Sequence, residues 1–454
     1  MKIKQPRGML AFTIVWIGQV ISLMGSAMTG FALTIWAWRV TNSATALAIV
    51  GICNFAPTII FSPIAGALVD RWNRKLVMML SDLATGMVTI GILILTMLDA
   101  LQIWHLYVGG VIAGTFQAFQ WPAYSAAISM MIPKENYSRA AGMMSLAEWG
   151  SGVFSPVLAG ALLGAFEPNG LQVVLVIDII TFTLAIGALL WIFIPQPQSS
   201  PESIHEPKPS LWQDSLFGFR YILDRPSLLN LQLIFTTGNL LSSIAGTLIS
   251  PMILARTGDN ALTLGSVQTA GSIGGIAGSL LISTLGSPKK KIHGVLLGWA
   301  MGGLLGTAVL GFGQSLIFWL IGSFFASFFG PVINSSNQTI WQLKVSPDKQ
   351  GRVFSIRRMI AQISAPLGMV VAGALADNIF EPMVANADPT PMSRMIMQVF
   401  GSVQGSGMAF LITTAGLLMV LIGLAAYLNP SVRNVETLLP DHDQISQSEA
   451  VTAD

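Results

Sequence analysis

Three carboxylates lie inside long apolar stretches of this sequence: Asp82, Glu148 and Asp178. An ionisable side chain is costly in hydrocarbon, and where one is retained it usually carries protons, binds ions or contacts a substrate. Glu148 lies nine residues beyond Arg139, which corresponds to about 13 Å of helix rise. We therefore predict that Glu148 couples transport to protons or binds substrate. The alternative is a buried glutamate that pairs with a polar neighbour.

The two aspartates allow different interpretations. Asp178 is as deep in its apolar stretch as Glu148, and we take it as a second candidate for proton coupling, with a structural hydrogen bond as the alternative. Asp82 lies only one or two helical turns beyond a basic loop. Its position favours a structural partnership with Arg71 or Arg74 of that loop.

A second group of side chains could line a substrate pocket. These residues are polar or aromatic and lie within apolar stretches, where polar side chains commonly form hydrogen bonds between helices. Such bonding explains any single member, so the prediction rests on the group as a whole. Its members are Gln19, Asn54, Gln120, Trp121, Asn239 and Asn337.

Other kinds of chemistry have little support in the sequence. The single cysteine, Cys53, excludes an intramolecular disulfide framework and a cysteine metal cluster. The four histidines are scattered without metal-ligand spacing, and the G-x-x-x-x-G-K-[ST] pattern of an ATP-driven pump is absent. We therefore expect no catalytic residues, no metal and no bound cofactor, and we do not expect an enzyme.

The composition indicates whether this chain is surrounded mainly by water or by lipid. Hydrophobic residues make up 53% of the 454 residues, charged residues only 10%, and the mean hydropathy is +0.67. A soluble domain carries about 25% charged residues, so we predict an all-α polytopic membrane protein whose partner is the lipid bilayer. The net charge of +2 gives no indication of a nucleic-acid partner.

Twelve stretches are long enough to cross a bilayer, which takes about 20 mostly apolar residues in a helix. Helices satisfy their own backbone groups in lipid, and the spacing and length of the stretches argue against a barrel. The predicted spans are 10–37, 46–69, 76–98, 104–131, 141–166, 170–194, 228–255, 261–286, 292–313, 315–341, 354–379 and 405–428.

The distribution of positive charge orients these spans. With the N-terminus inside, only Arg39, Arg256 and Arg394 of the 23 lysines and arginines fall in outer segments. Cytoplasmic loops are enriched in Lys and Arg, so both termini are predicted to be cytoplasmic. This count assigns Arg357 to a cytoplasmic loop and leaves no Lys or Arg in the middle of a span, which would disfavour strongly anionic substrates.

The sequence also divides into two halves. Phe166-Glu167-Pro168 is matched by Phe380-Glu381-Pro382, and Gly66-Ala67-Leu68 by Gly278-Ser279-Leu280. We predict two six-helix pseudo-repeats, 1–194 and 228–428. A proline-rich cytoplasmic linker with an amphipathic helix (195–227) separates them, and a disordered cytoplasmic tail (429–454) follows them.

One polar loop between predicted helices 2 and 3 carries a recognisable pattern, G-x-L-x-D-R-x-x-R-K. Its key residues are Gly66, Asp70, Arg71, Arg74 and Lys75. It resembles the helix 2–3 loop of the major facilitator superfamily, which usually has glycine where this chain has Asn73. Asparagine tolerates the left-handed conformation better than most residues, so the turn could survive that change. The resemblance implies a gating loop in which Asp70 meets a helix N-terminus of the other half, with Arg71 and Arg74 paired to carboxylates.

Helix 5 resembles the bent helix of exporters in the same superfamily. Pro156 and Gly160 match that motif, whereas Ser155 replaces one of its glycines. The alternative is generic packing of small residues. The arginine that the family carries in helix 4 is not evident; Gln117 and Gln120 occupy that region.

Within the superfamily the chain resembles the drug–proton antiporter branch that includes macrolide-efflux-type proteins, through residues 178–182, 380–382 and 429–436. The resemblance implies efflux of amphipathic small molecules by alternating access. The driving force would be a proton gradient and not a cofactor, and the protein would be a monomer in the cell (inner) membrane. A flippase or scramblase for lipids or lysophospholipids, or a uniporter, on the same fold remains the alternative.

Overall fold

Helices form the architecture of the computed structural model, which describes residues 8–69, 72–133, 136–194, 211–286, 288–386 and 390–441, and those ranges contain no β-strand. Two stretches of the chain, Gly302–Ala308 and Ala376–Phe380, are π-helical. The helices are α1 (Gly8–Thr41), α2 (Ala44–Val69), α3 (Arg74–Met97), α4 (Ile103–Met131), α5 (Tyr137–Ala165), α6 (Gly170–Trp191), α7 (Leu211–Leu223), α8 (Pro226–Thr257), α9 (Ala261–Leu285), α10 (Lys291–Met301), α11 (Val309–Phe312), α12 (Leu316–Lys344), α13 (Pro347–Leu375), α14 (Glu381–Ala385), α15 (Pro391–Phe400), α16 (Ser406–Ala425), α17 (Pro430–Arg433) and α18 (Val435–Leu438).

Each predicted span coincides with a long helical segment, and most boundaries agree within a few residues; the span 292–313 comprises α10, the π-helical stretch Gly302–Ala308 and α11. Ten helices of the described part of the chain are long and apolar enough to cross a membrane. The prediction of an all-α polytopic membrane protein is therefore confirmed. The agreement has a simple cause: a helix that must cross about 30 Å of hydrocarbon has both its length and its composition fixed by the bilayer.

The chain falls into two compact units. Unit 1 comprises Met1–Ser203 and Ser250–Thr269, and unit 2 comprises Ile204–Ile249 and Ala270–Asp454. By this division the end of α8 and the beginning of α9 group with unit 1.

In unit 1, α1 packs on α5 and α6, α2 packs on α4, and α3 packs on α4 and α6. Gly114 of α4 shows how closely these helices approach. A Cβ at this position would lie 2.9 Å from the carbonyl carbon of Asn54 on α2, so only glycine allows the two backbones to meet. Buried apolar side chains, Phe12, Met78 and Leu189 among them, fill the end of the bundle.

In unit 2, α12 packs on α10 and on the π-helical stretch Gly302–Ala308, and α16 packs on the same two segments. Within the predicted linker the structure has α7, which packs against α13; its place on the cytoplasmic surface stays a prediction. Its Tyr221 hydroxyl donates a hydrogen bond to the backbone oxygen of Lys344 (3.4 Å).

The chain continues in ordered form beyond α16, so the prediction of a disordered tail from residue 429 is wrong for residues 430–441. We call this segment the C-terminal strap. Its Val432 and Val435 are fully buried. The Glu436 carboxylate accepts hydrogen bonds from the backbone nitrogens of Lys291 (3.2 Å) and Ile292 (3.1 Å). A negative group at the N-terminus of α10 is favourable because it complements the helix dipole.

Lys344, at the end of α12, holds the other side of the strap. Its side chain is 3% exposed and its ammonium forms a 2.7 Å ion pair with Asp441. The same ammonium donates to the backbone oxygens of Glu436 and Leu439. Composition suggested disorder because the tail is polar, but these contacts are made by specific groups that composition does not reveal.

The turn before α3 also differs from its expected form. Asn73 has φ −66° and ψ 110°, and its side chain accepts a hydrogen bond from the backbone nitrogen of Leu76 (3.2 Å). The residue is therefore an extended N-cap and not a left-handed substitute for glycine. Asparagine is a preferred N-cap because its oxygen satisfies a free helical N–H group.

Candidate functional site

A polar pocket of about 120 Å³ lies inside unit 1, between α1, α3, α4 and α6. It contains two carboxylates, Asp82 and Asp178, surrounded by amides and hydroxyls. The residues that line it are Gln19, Ser22, Leu23, Ser26, Asp82, Thr85, Gly86, Thr89, Gln117, Gln120, Asp178 and Phe182.

Asp82 is bound by two glutamine amides. Gln19 Nε2 of α1 donates to Oδ2 (2.9 Å), and Gln120 Nε2 of α4 donates to Oδ1 (2.8 Å). Gln120 Nε2 also donates to Gln19 Oε1 (3.0 Å). These bonds form a triad that joins three helices, and the side chain of Asp82 leaves α3 on the face that packs against α1 and α4. Arg71 lies outside the described residues, so the expected partnership of Asp82 with the gating loop stays a prediction.

Asp178 is more deeply enclosed, at 2% exposure. Its Oδ1 accepts a hydrogen bond from Ser26 Oγ (3.1 Å), and its Oδ2 accepts from Thr29 Oγ1 and Thr89 Oγ1 (both 3.0 Å). These donors come from α1 and α3, so the carboxylate ties both helices to α6.

Neither carboxylate has a basic side chain among its partners in the described ranges. A buried carboxylate without a counter-charge is unfavourable unless it is protonated or a cation binds beside it. The volume of the pocket limits the ligand, because sites for drug-sized molecules span about 300–1,000 Å³. The pocket is therefore suited to a proton, a small cation or a few water molecules.

The hydroxyl donors were missed in the sequence, although a signal existed. Gln19, Ser22, Ser26 and Thr29 recur at intervals of three or four residues and so form one polar stripe along an otherwise apolar α1. The stripe could have been recognised in the sequence. It was missed because each serine or threonine was judged singly, and single ones are common in membrane spans.

The remaining predicted pocket residues lie apart from this site. Asn54 Nδ2 donates to the backbone oxygen of Val50 on its own helix (3.0 Å), and Trp121 is 48% exposed. Asn239 and Asn337 belong to unit 2. Asn337 is fully buried, and neither atom of its amide has a hydrogen-bond partner in the described structure. Only Gln19 and Gln120 of the predicted group come together.

The helix-5 motif packs closely on both sides. Ser155 Oγ donates to the backbone oxygen of Met24 on α1 (3.1 Å). A Cβ at Gly160 would lie 2.9 Å from the oxygen of Ala261, and one at Gly265 would lie 2.6 Å from that of Pro156. Small residues thus bring α5 into contact with α1 and with the beginning of α9, as required for a tightly packed helix. The side chain of Glu148, further back on α5, lies outside the described residues, so its role stays a prediction.

The gating loop is only partly described. Asp70 and Arg71 lie outside the described residues, as does any contact made at Gly66 of α2. Arg74 begins α3 and has an interaction partner. Lys75 Nζ donates to the backbone oxygens of Leu190 (3.1 Å) and Ile192 (2.8 Å) at the end of α6, where a cation complements the helix dipole.

Arg357 of α13 is a charged residue that the sequence analysis counted among the cytoplasmic charges, although the predicted span 354–379 includes it. The apolar helical segment Ile356–Ala385 that is long enough to span a membrane includes it. Its Nη1 donates to Gln338 Oε1 of α12 (2.8 Å). The charge count treated this arginine as part of a cytoplasmic segment. In the structure it lies within α13, which begins ten residues earlier at Pro347.

Comparisons with known proteins agree with the fold. The sequence profile of the Major Facilitator Superfamily matches residues 15–368. Macrolide efflux protein A of Streptococcus pyogenes is 24% identical over 371 residues, which cover 82% of this chain and 90% of that protein. The enterobactin exporter of Shigella flexneri is 24% identical and covers 92% and 93%. A bacterial homologue of the human lysosomal transporter Spinster, in an inward-facing and unoccupied conformation, superposes with a TM-score of 0.64 at 15% identity over 91% of this chain and 95% of that one.

Proposed function

Since the chain belongs to the Major Facilitator Superfamily, we propose that it is a proton-coupled exporter of amphipathic small molecules that works by alternating access. Membership of the superfamily identifies the chain as a membrane transporter. The direction and the substrate class are supported by relatives named as efflux and export proteins. We place it in the cell (inner) membrane with both termini in the cytoplasm, as the positive charges favour.

The observation that carries proton coupling is the triad of Asp82, Gln19 and Gln120. Asp82 is more exposed than Asp178, so it is the carboxylate that exchanges protons. In the ionised form both its oxygens accept amide N–H groups. In the protonated form one oxygen carries a hydrogen and needs an acceptor where it had a donor.

Gln120 can meet that need without leaving the pocket. Its Oε1 is buried and has no hydrogen-bond partner in the described structure. A half-turn of the amide exchanges Oε1 with Nε2, so Oε1 accepts the new O–H of Asp82. The same turn removes the donor that Gln19 Oε1 receives at 3.0 Å. Protonation thereby changes a contact between α1 and α4 as well as the charge of α3.

This rearrangement links the proton to helix packing. A change of charge can shift the balance of conformations only if the proton binds one conformation more tightly than another. The amides of α1 and α4 supply that difference, because their arrangement suits either the ionised or the protonated carboxyl. By linkage, a substrate that favours one arrangement changes the proton affinity by the same factor. Glu148 remains a second proposed proton carrier, on α5.

The test is transport in proteoliposomes with an imposed pH gradient, over a panel of amphipathic compounds. Asp82→Asn replaces the ionisable group by a neutral amide of the same shape. We expect the variant to lose accumulation against a gradient but to keep downhill exchange, because alternation no longer requires a proton. Asp99→Asn is the matched control, since Asp99 is an exposed residue in the turn after α3, and it should pump normally.

Three outcomes would contradict the proposal in different ways. Normal pumping by Asp82→Asn would remove Asp82 from coupling and leave Glu148 or Asp178. Equal loss in both aspartate variants would indicate a general defect. Flux of the wild type that no gradient affects would favour the uniporter or the lipid flippase and scramblase alternatives, which labelled lipid would separate.

A further inference from the structure

We propose that Arg357 forms an anion-binding site in unit 2, which takes the carboxylate, phosphate or similar head group of an amphipathic molecule. The site is separate from the carboxylate pocket, which lies in unit 1. The inference goes beyond the proposed proton coupling, because it concerns the chemistry of the ligand and not the driving force.

The electrostatic argument begins with the lack of a counter-charge. Within the described ranges the guanidinium of Arg357 has one hydrogen bond, to Gln338 Oε1 at 2.8 Å, and no carboxylate partner. The residue lies ten positions into α13, about 15 Å along the helix. A guanidinium carries five N–H donors in a planar fork that matches a carboxylate or phosphate. Most of that capacity is available to a ligand.

Aromatic rings shape the surroundings of the charge. The guanidinium carbon lies 5.2 Å from the ring centre of Trp341 and 5.8 Å from that of Phe354. Both distances are within the range of cation–π attraction, which fixes the plane of the fork. Phe354 is half-buried and offers an apolar surface next to the charge, whereas Trp341 is fully buried. The combination of a cation and apolar walls suits an anionic head on an apolar body.

Buried polar atoms around Arg357 provide the independent observation. Gln232 donates through Nε2 to the Arg357 backbone oxygen (3.2 Å), but its Oε1 has no partner among described residues. Trp341 is fully buried and its Nε1 likewise has none. A buried donor or acceptor without a partner is unfavourable. Two such atoms beside a cation that has no carboxylate partner in the described ranges favour a binding site over a packed core.

The test compares three probes that share an apolar body and differ in charge: 4-octylbenzoate, 4-octylbenzamide and 4-octylbenzylamine. Their equilibrium binding is measured by tryptophan fluorescence and calorimetry on the full-length protein in phosphatidylcholine nanodiscs. We expect the benzoate to bind about tenfold more tightly than the benzamide, as a hydrogen bond between charged groups would give, and the benzylamine to bind most weakly.

Variants assign the preference to one side chain. Arg357→Gln should abolish the preference for benzoate, and Arg357→Lys should keep part of it, because lysine retains the charge but not the fork. Arg358→Gln is the matched control, since Arg358 is the exposed neighbour, and it should behave as wild type. Thermal unfolding of each variant verifies that it is folded. A benzoate preference that survives in folded Arg357→Gln, or its absence in the wild type, would overturn the proposal.

A last arm identifies the source of the anion. In nanodiscs that contain phosphatidylglycerol, a lipid head group bound at Arg357 would weaken benzoate binding to the wild type but not to Arg357→Gln. Unchanged binding would assign the site to a free solute. Because equilibrium binding needs no proton gradient, failure of this proposal and failure of proton coupling would be distinguished.

Discussion

Asp82 and Asp178 share one pocket, yet their surroundings suit different tasks. Asp178 is held by three hydroxyls from two helices and is almost fully enclosed. Removal of its charge would disturb a contact that holds α1 and α3 to α6. Asp82 is bound by two amides on flexible side chains and is more exposed. We therefore assign a structural role to Asp178 and the exchangeable proton to Asp82.

The approach of α1 to Asp178 depends on Gly25. A Cβ at this position would lie 3.0 Å from Asp178 Oδ1 and 3.1 Å from its Cα, and closer still to Thr181 Oγ1. We expect Gly25→Ala to destabilise the protein by about 1–3 kcal/mol, as overpacking does, and to lower its Tm in detergent. Gly30→Ala is the control on the same helix, because a Cβ there meets no atom within 4 Å. Equal Tm values for the two variants would contradict this account of the packing.

At the residue level the sequence identified the carboxylates but not their partners. Asp82 was paired with Arg71 or Arg74 because they are near in sequence, whereas Gln19 lies 63 positions away. A bond of that kind depends on which faces of α1 and α3 meet, and apolar stretches do not encode this clearly. For Arg357, positive charge was taken to mark a cytoplasmic segment, and the structure places the residue within α13, ten positions after Pro347.

At the level of elements the predictions were most successful for the long helices. The bilayer requires each span to be long and apolar, so its length and position can be read from the sequence. Short elements are under no such constraint. The C-terminal strap (residues 430–441) is ordered because Lys344 and the first turn of α10 supply partners for its polar groups. Those partners are distant in sequence, and a polar composition alone suggested disorder.

Two truncations test the strap. A chain that ends at Leu428 removes every partner of the buried Lys344 ammonium in the strap. It should be less stable by about 3–5 kcal/mol, as when one member of a buried ion pair is lost. A chain that ends at Asp441 keeps all the contacts described and should match the full-length protein. The measurement is the Tm of each purified protein in detergent. If both truncations unfold at the same temperature, the strap does not stabilise unit 2.

At the scale of the whole molecule, the repeat found in the sequence is matched only in part by the positions of the helices. Phe166 caps the end of α5, whereas Phe380 ends the π-helical stretch that follows α13 and lies five residues before the end of α14. The two six-span halves therefore stay a prediction. A repeat of six spans would return the chain to the same side of the membrane, so the positive charges of the cytoplasmic segments would orient both halves.

That orientation is open to a direct test with single cysteines in a Cys53→Ser background. Ala100, in the turn after α3, is predicted to be outside, and Lys289, in the turn before α10, inside; both are exposed. A membrane-impermeant maleimide should label Ala100→Cys in intact cells and Lys289→Cys only after permeabilisation, because the positive charges favour the cytoplasmic side. Two controls place the outer site in the second half and the inner site in the first. Asn260→Cys should label in intact cells, and Trp72→Cys only after permeabilisation. Labelling of Ala100→Cys and Lys289→Cys from the same side would require an even number of spans between them, where the prediction has five, and would overturn the twelve-span topology.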